Sequence, residues 1–183
     1  MLKILIIFVI LNFYYPVLSS TKKELISQIQ ITDNLSFNFI QTVNDKSENG
    51  QCIIEYPKKI YCEYISPNKK IIVSNGRTLL IKTLNNNYYL YPLNKTPLEY
   101  LLDKEYLISK IKILEPRNID NKYINFKFLE NNNEINIFFD KKNLNLVGWH
   151  VQDMYQKLSV TFISAIKINQ KINKKKFILP ENN

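Results

Sequence analysis

The sequence predicts a mostly β protein: a large antiparallel, meandering sheet with a few short helices over one face. Three observations carry this. From Leu35 onward, apolar residues recur with a period of two over most of the chain. Asparagine and glycine clusters, Asn49-Gly50, Asn75-Gly76, Asn85 to Asn87 and Asn131 to Asn133, fall between these stretches as hairpin turns. Helical spacing with capping residues is confined to brief segments.

Taken in order, Met1 to Ser20 reads as a secretory signal peptide. Lys3 precedes an apolar run from Ile4 to Leu11, and the small pair Ser19 and Ser20 follows Pro16. Cleavage is expected after Ser19 or Ser20, leaving residues 21–183 as a single exported domain in the periplasm. The competing reading is an uncleaved anchor. Against it, the run is shorter than the ~20 residues a spanning helix needs, and Asn12 interrupts it. Thr21-Lys22-Lys23-Glu24 matches a capping box, and Leu25, Ile26 and Ile29 then share a helical face. Leu35, Phe37 and Phe39 begin the strands. The alternation returns in Ile124, Phe126 and Phe128; Ile135 and Ile137; Leu144 and Leu146; Trp149 and Val151; and Leu158, Val160 and Phe162. Thr96-Pro97-Leu98-Glu99 is a second capping box with proline at the first helical position, and it opens a helix whose apolar face is Leu98, Leu101 and Leu102. Asp103 starts a further short helix carrying Leu107 and Ile108.

Cys52 and Cys62 flank Pro57. If residues 51–56 and 60–65 are the arms of one hairpin, pairing about Pro57 sets the two cysteines opposite each other. A cross-strand disulfide can then form in an oxidising compartment; two buried free thiols are the other reading.

Composition removes several classes of function. The 25 basic residues exceed the 16 acidic ones, but the lysines are scattered among asparagines and isoleucines, which argues against a nucleic-acid stripe and for a weak attraction to anionic membranes. With three glycines in the chain there is no phosphate-cradling loop. His150, the single histidine, lies in a predicted strand with no nucleophile motif nearby. Glu99 and Asp103, beside Lys104, read as a solvated helix face rather than an acid/base pair. No metal-ligand spacing is present and no cofactor is expected. The chain reads as a binding protein and not an enzyme.

Several segments, in order, resemble the LolA family of outer-membrane lipoprotein carriers across almost all of residues 21–183. They are Phe37-Asn38-Phe39-Ile40-Gln41, Glu55-Tyr56-Pro57-Lys58-Lys59-Ile60, Glu63-Tyr64, Pro67, Lys70-Ile71-Ile72-Val73-Ser74-Asn75-Gly76-Arg77-Thr78-Leu79, Tyr91-Pro92-Leu93, Thr96-Pro97, Leu101-Leu102, Phe139-Asp140 and Gly148-Trp149, then Asp153, Gln156, Val160, Phe162, Asn169, Phe177 and Pro180. The resemblance implies an unclosed antiparallel β-barrel covered by short lid helices. It implies a cavity for lipoprotein acyl chains lined by Leu25, Ile29, Phe37, Phe39, Ile54, Ile60, Tyr64, Ile72, Leu79, Phe126, Ile137, Trp149 and Val160. The lid over it would comprise Thr96, Pro97, Leu98, Leu101, Leu102 and Leu107. The implied partners are lipoproteins, an inner-membrane ABC-type release complex and an outer-membrane acceptor, served by a monomer. Where many members have an arginine that latches the lid, this chain has Tyr56, whose hydroxyl is the candidate substitute. A periplasmic sensory or structural module of the same fold, binding envelope proteins without transport, is the alternative function. An acceptor would carry a lipobox cysteine where Ser19 and Ser20 stand.

Overall fold

The computed structural model describes residues 17–152 and 157–179. The expected signal segment up to residue 16, and Asp153, Gln156 and Pro180, lie outside the described residues. Helix α1 (Val17–Ile31) leads into β1 (Asn34–Val43), β2 (Lys46–Glu55), β3 (Lys59–Ser66), β4 (Lys70–Asn75), β5 (Thr78–Thr83) and β6 (Tyr88–Pro92). A 3-10 turn (Leu93–Lys95), α2 (Leu98–Leu102) and α3 (Lys104–Ile113) then cross the sheet. The chain returns as β7 (Arg117–Ile119), β8 (Tyr123–Glu130), β9 (Asn133–Asp140), β10 (Leu146–Gln152) and β11 (Leu158–Ile168), and a 3-10 turn (Lys174–Phe177) follows.

Among the described residues the strands form one antiparallel sheet in the order β6-β5-β4-β3-β2-β1-β11-β10-β9-β8-β7. Pairing of β1 with β11 joins the two meanders, while β6 and β7 stay unpaired with each other, so the curved sheet is a barrel that does not close. Its concave face holds the main core: Leu35, Phe37 and Phe39 of β1, Phe126 of β8, Ile135 and Ile137 of β9, and Trp149 of β10, with Leu25 of α1 and Leu102 of α2 packed onto them. A smaller cluster sits on the outer face, where Val73 of β4, Leu80 of β5 and Phe177 are all buried and the C-terminal 3-10 turn lies against β3 and β4. Asn169 ties the end of β11 to the α1–β1 junction. Its side chain accepts from the backbone N–H of Asp33 (2.7 Å) and donates to the carbonyl of Ile31 (2.7 Å).

The predicted turns at Asn75-Gly76, Asn85 to Asn87 and Asn131 to Asn133 are where the chain reverses. Gly76 (φ 100°), Asn86 (φ 58°), Asn131 (φ 48°) and Asn132 (φ 63°) take up the left-handed backbone that these turns require. Asn49-Gly50 is different, because it lies inside β2 and the reversal occurs at Asn44 (φ 47°) and Asp45 (φ 62°). Gly50 serves packing instead. A Cβ there would stand 2.1 Å from the Glu63 carbonyl oxygen and 2.8 Å from the Phe39 ring, so only glycine lets that ring lie across the strand at the β2–β3 bulge.

Neither predicted capping box forms. Helix α1 already begins at Val17, so Thr21 lies inside it, where its N–H is no longer one of the first-turn orphan donors. Thr96 turns its hydroxyl backward to the Leu93 carbonyl (2.8 Å), and Pro97 occupies the N-cap of α2 without a side-chain cap. Asp103 does cap α3, accepting from the Tyr106 N–H (3.0 Å). Leu144 belongs to the β9–β10 turn (φ 59°) and not to a strand.

The parity of β11 is opposite to that suggested by hydropathy. Ile163, Thr161 and Ser159 stand opposite Phe39, Gln41 and Val43 and are buried, whereas Leu158 and Phe162 are more than half exposed. Val160, expected in the cavity, therefore lies on the outer face, opposite Thr42 and His150.

Candidate lipid-binding site

Beneath α2, on the concave face, the sheet leaves a cavity of about 320 Å³. Its strand walls come from side chains that pair across neighbouring strands and so point the same way: Cys52 of β2 opposite Cys62 of β3, Cys62 opposite Ile72 of β4, Ile72 opposite Ile81 of β5. Trp149 and Val151 of β10 face them from across the barrel, and Thr96, Pro97 and Leu98 form the roof. Cys52 and Cys62 are joined as a disulfide, their Cα atoms 4.1 Å apart, so the hairpin register inferred about Pro57 is the one observed.

One end of this cavity is polar. The Tyr64 hydroxyl donates to Gln41 Oε1 (2.8 Å), Gln41 Nε2 donates to Thr161 Oγ1 (3.3 Å), and the Lys70 ammonium lies 4.2 Å from the centre of the Tyr64 ring while paired with Glu48. Burial pushes the Tyr64 phenol well above its ordinary range, so it stays a neutral donor. The remaining wall, Phe39, Ile60, Ile72, Leu79, Ile81 and Trp149, is apolar. Such a gradient suits a ligand with a long apolar body and a polar end.

The expected cavity residues separate into groups. Phe39, Ile60, Tyr64, Ile72, Leu79 and Trp149, with Thr96, Pro97 and Leu98 of the lid, surround the cavity. Ile54, Ile137, Leu101, Leu102 and Leu107 meet below it around a void of only about 10 Å³, where α2 and α3 pack as core. Leu25 and Phe126 line a separate pocket of about 120 Å³ beside α1, and Ile29 with Leu107 borders one of about 40 Å³. Phe37 is buried with its ring edge-on to Trp149 (6.1 Å). Gln41, Ser159 and Thr161 were not foreseen as wall residues, since polar side chains on the concave face leave no trace in an apolar pattern. Ile81, two residues from Leu79, was within reach of that pattern.

Helix α2 is held by Lys58 and not by Tyr56, the candidate read from the sequence. At the tip of the β2–β3 hairpin, Lys58 takes a left-handed conformation (φ 65°) after the cis Tyr56–Pro57 bond. There its N–H donates to the Leu102 carbonyl (2.8 Å), and its ammonium reaches Glu99 (2.7 Å) and Asp103 (3.1 Å). The Glu99 hydrogen bond, then that of Asp103, raises the pKa of Lys58 above its ordinary value. Glu99 and Asp103, expected to be solvated, are thus this cation's partners. Tyr56 contributes its ring, which lies beneath Lys104 (6.0 Å), and burial raises its phenol to about 12. Lys104 bonds the Gln30 and Thr32 carbonyls (3.0 and 3.1 Å), fixing α3 to the end of α1.

Among the described residues no group of histidine, cysteine or acidic side chains could hold a metal ion, and no helix is long and apolar enough to cross a membrane.

Comparison with known proteins adds the following. The family model described as outer membrane lipoprotein carrier protein LolA matches residues 21–179. Among solved structures, MucB is similar at 7% identity with a TM-score of 0.50, the alignment covering 88% of this chain and 62% of MucB. The LolA superfamily protein NE2245 from Nitrosomonas europaea aligns at 10% identity and a TM-score of 0.48, over 88% of this chain and 97% of its own. A putative outer membrane lipoprotein-sorting protein domain from Vibrio parahaemolyticus aligns at 7% identity and a TM-score of 0.46, over 86% and 97%. No curated protein sequence matches.

Proposed function

Given that the chain belongs to the LolA family of outer membrane lipoprotein carrier proteins, we propose that it binds the acyl chains of lipoproteins in the cavity beneath α2 and carries them between the two membranes of the envelope. Proteins of this family bind or carry rather than catalyse, and they work in the cell envelope. The observation that supports the carrier reading best is the cavity itself: an apolar wall with a polar end, roofed by a short helix that one lysine side chain pins down.

The energetics of the task match such a site. Each acyl methylene left in water costs about 0.8 kcal/mol, so one long chain is held in its membrane by roughly 10 kcal/mol or more unless an apolar host receives it. As it stands the cavity, which is open at its rim, spans about ten water-sized volumes, at ~30 Å³ each. That is too small for several long chains, so loading requires α2 to lift from the packed layer of Leu101 and Leu102. No bond is made or broken in this cycle. Loading would come from an inner-membrane ABC-type release complex and unloading at an outer-membrane acceptor, with the carrier exported, freed of its signal segment and acting as a monomer.

The test is a release assay in which the purified protein is added to spheroplasts of its host. New lipoproteins should enter the supernatant in complex with it, in an ATP-dependent way. Leu98→Glu, which puts a carboxylate into the roof, should reduce release at least tenfold while leaving thermal stability nearly unchanged, because Leu98 is only half-buried. If no lipoprotein leaves the membrane while the folded protein still binds envelope proteins, the carrier reading fails and the sensory or structural one replaces it.

A further inference from the structure

Strand β6 ends the sheet at the rim of the cavity, and among the described residues no strand pairs with its far side. The direction of its free main-chain groups follows from its flanks. Thr83 N–H donates to the Asn87 carbonyl (3.0 Å), and Leu93 N–H to the Arg77 carbonyl (2.8 Å). Bonded pairs alternate along an antiparallel ladder, so Tyr89 and Tyr91 bond to β5 while the N–H and C=O groups of Tyr88 and Leu90 point away from the sheet. Side chains blunt this edge only at its end, where Pro92 has no N–H to offer. Tyr88, Tyr89 and Leu90 are 45–46% exposed, and the strand has no charged residue of the kind that guards free edges. The opposite edge, β7, is only three residues long, follows Pro116 directly and exposes Arg117 and Asn118.

This edge is continuous with the cavity. Tyr91 of β6 lines it together with Leu79 and Ile81, and Ile81 stands opposite Tyr89. A protein whose acyl chains lie in the cavity must bring its polypeptide out over the rim, within reach of those unpaired groups. We propose that β6 accepts, as an added edge strand, the extended segment of cargo polypeptide adjoining the acylated residue. The pairing is through main chain, so it recognises any cargo sequence able to extend there. This inference rests on the carrier reading and adds to it a second, peptide-binding element.

The experiment compares three probes on the purified protein, with Trp149 fluorescence as the signal: palmitate, a short peptide bearing palmitoyl chains on its first residue, and the same lipopeptide N-methylated at alternate residues. The parent lipopeptide should bind more tightly than its N-methylated form by about tenfold, the equivalent of two backbone hydrogen bonds. Leu90→Pro removes an outward donor without touching a β5–β6 bond. It should weaken binding of the parent lipopeptide by about threefold, the loss of one bond to a peptide carbonyl, and leave palmitate affinity unchanged. Equal binding of the two lipopeptides to the wild-type protein overturns the proposal even if palmitate binds, and the methylation result does not depend on the folding of Leu90→Pro. If palmitate and both lipopeptides all fail to bind, the carrier reading falls and this inference with it.

Discussion

Replacing Lys58 by methionine should loosen the lid without disturbing the barrel. The ammonium of Lys58 spans Glu99 and Asp103 at 2.7 and 3.1 Å, with the three side chains 32%, 21% and 26% exposed. Fully exposed ion pairs contribute about 0.2–1 kcal/mol, and charge-assisted hydrogen bonds about 1.5–3 kcal/mol. Partial exposure and one shared ammonium place the sum near 1–2 kcal/mol, which is roughly a five- to thirtyfold change in the opening equilibrium. Methionine retains the apolar stem and the backbone bond from residue 58 to the Leu102 carbonyl, so the loss is confined to the charge. Amide hydrogen exchange at Leu101 and Leu102 should accelerate by that factor. The Tyr106 amide, held by Asp103, and the core amides of Phe126 and Ile137 should not change. Because the pKa of Lys58 is raised in the folded protein, first by the Glu99 bond, the stabilisation is complete below the ordinary value of 10.5 and is lost as pH rises through the higher folded value. Lid exchange in the wild type should therefore show an extra acceleration at alkaline pH that the methionine variant lacks. Equal exchange in α2 for the two proteins at neutral pH would refute the latch.

Three further outcomes are expected. Replacing both Cys52 and Cys62 by serine should lower unfolding stability by about 2–3 kcal/mol, the chain-entropy value for a crosslink separated by 10 residues, measurable by urea denaturation with and without reductant. Gly50→Ala should cost at least about 2 kcal/mol, because its Cβ meets the Glu63 carbonyl at 2.1 Å and backbone cannot step aside; a melting temperature equal to wild type would show that the bulge relaxes. His150 stands between the rings of Phe138 (4.7 Å) and Phe162 (6.4 Å), and burial lowers its pKa below 6.5. The unfolded chain then takes up the proton first, so stability should fall as pH drops through and below that value, and His150→Phe should flatten the slope in melting curves between about pH 7 and pH 5.

The sequence by itself determined the class of fold, most of the strands, the register that sets Cys52 opposite Cys62 and the segment that becomes α2. These follow from local rules. Alternation places Phe37 and Phe39 on one face whatever lies across from them, asparagine and glycine accept the left-handed turns at Asn75-Gly76 and Asn131-Asn132, and a proline between Cys52 and Cys62 sets their register. Where several local rules compete, tertiary contacts decided. Asn49-Gly50 scores as a turn, but Asn44-Asp45 supplies one nearer and the Phe39 ring claims the space at Gly50. Hydropathy chose Leu158, Val160 and Phe162 as the inner row of β11, whereas pairing with β1 turned Ser159 and Thr161 inward to meet Gln41 and the polar end of the cavity. Tyr56 was the candidate latch because of its place in the chain, yet the cation two residues later, brought around by the left-handed turn at Lys58, holds the lid. Strand periodicity is a property of neighbours along the chain and can be read from them. The face that a strand turns inward and the charge that holds α2 depend on residues distant along the chain, 41 positions for Lys58 and Glu99 and 120 for Gln41 and Thr161, and those are brought together only by the folded sheet.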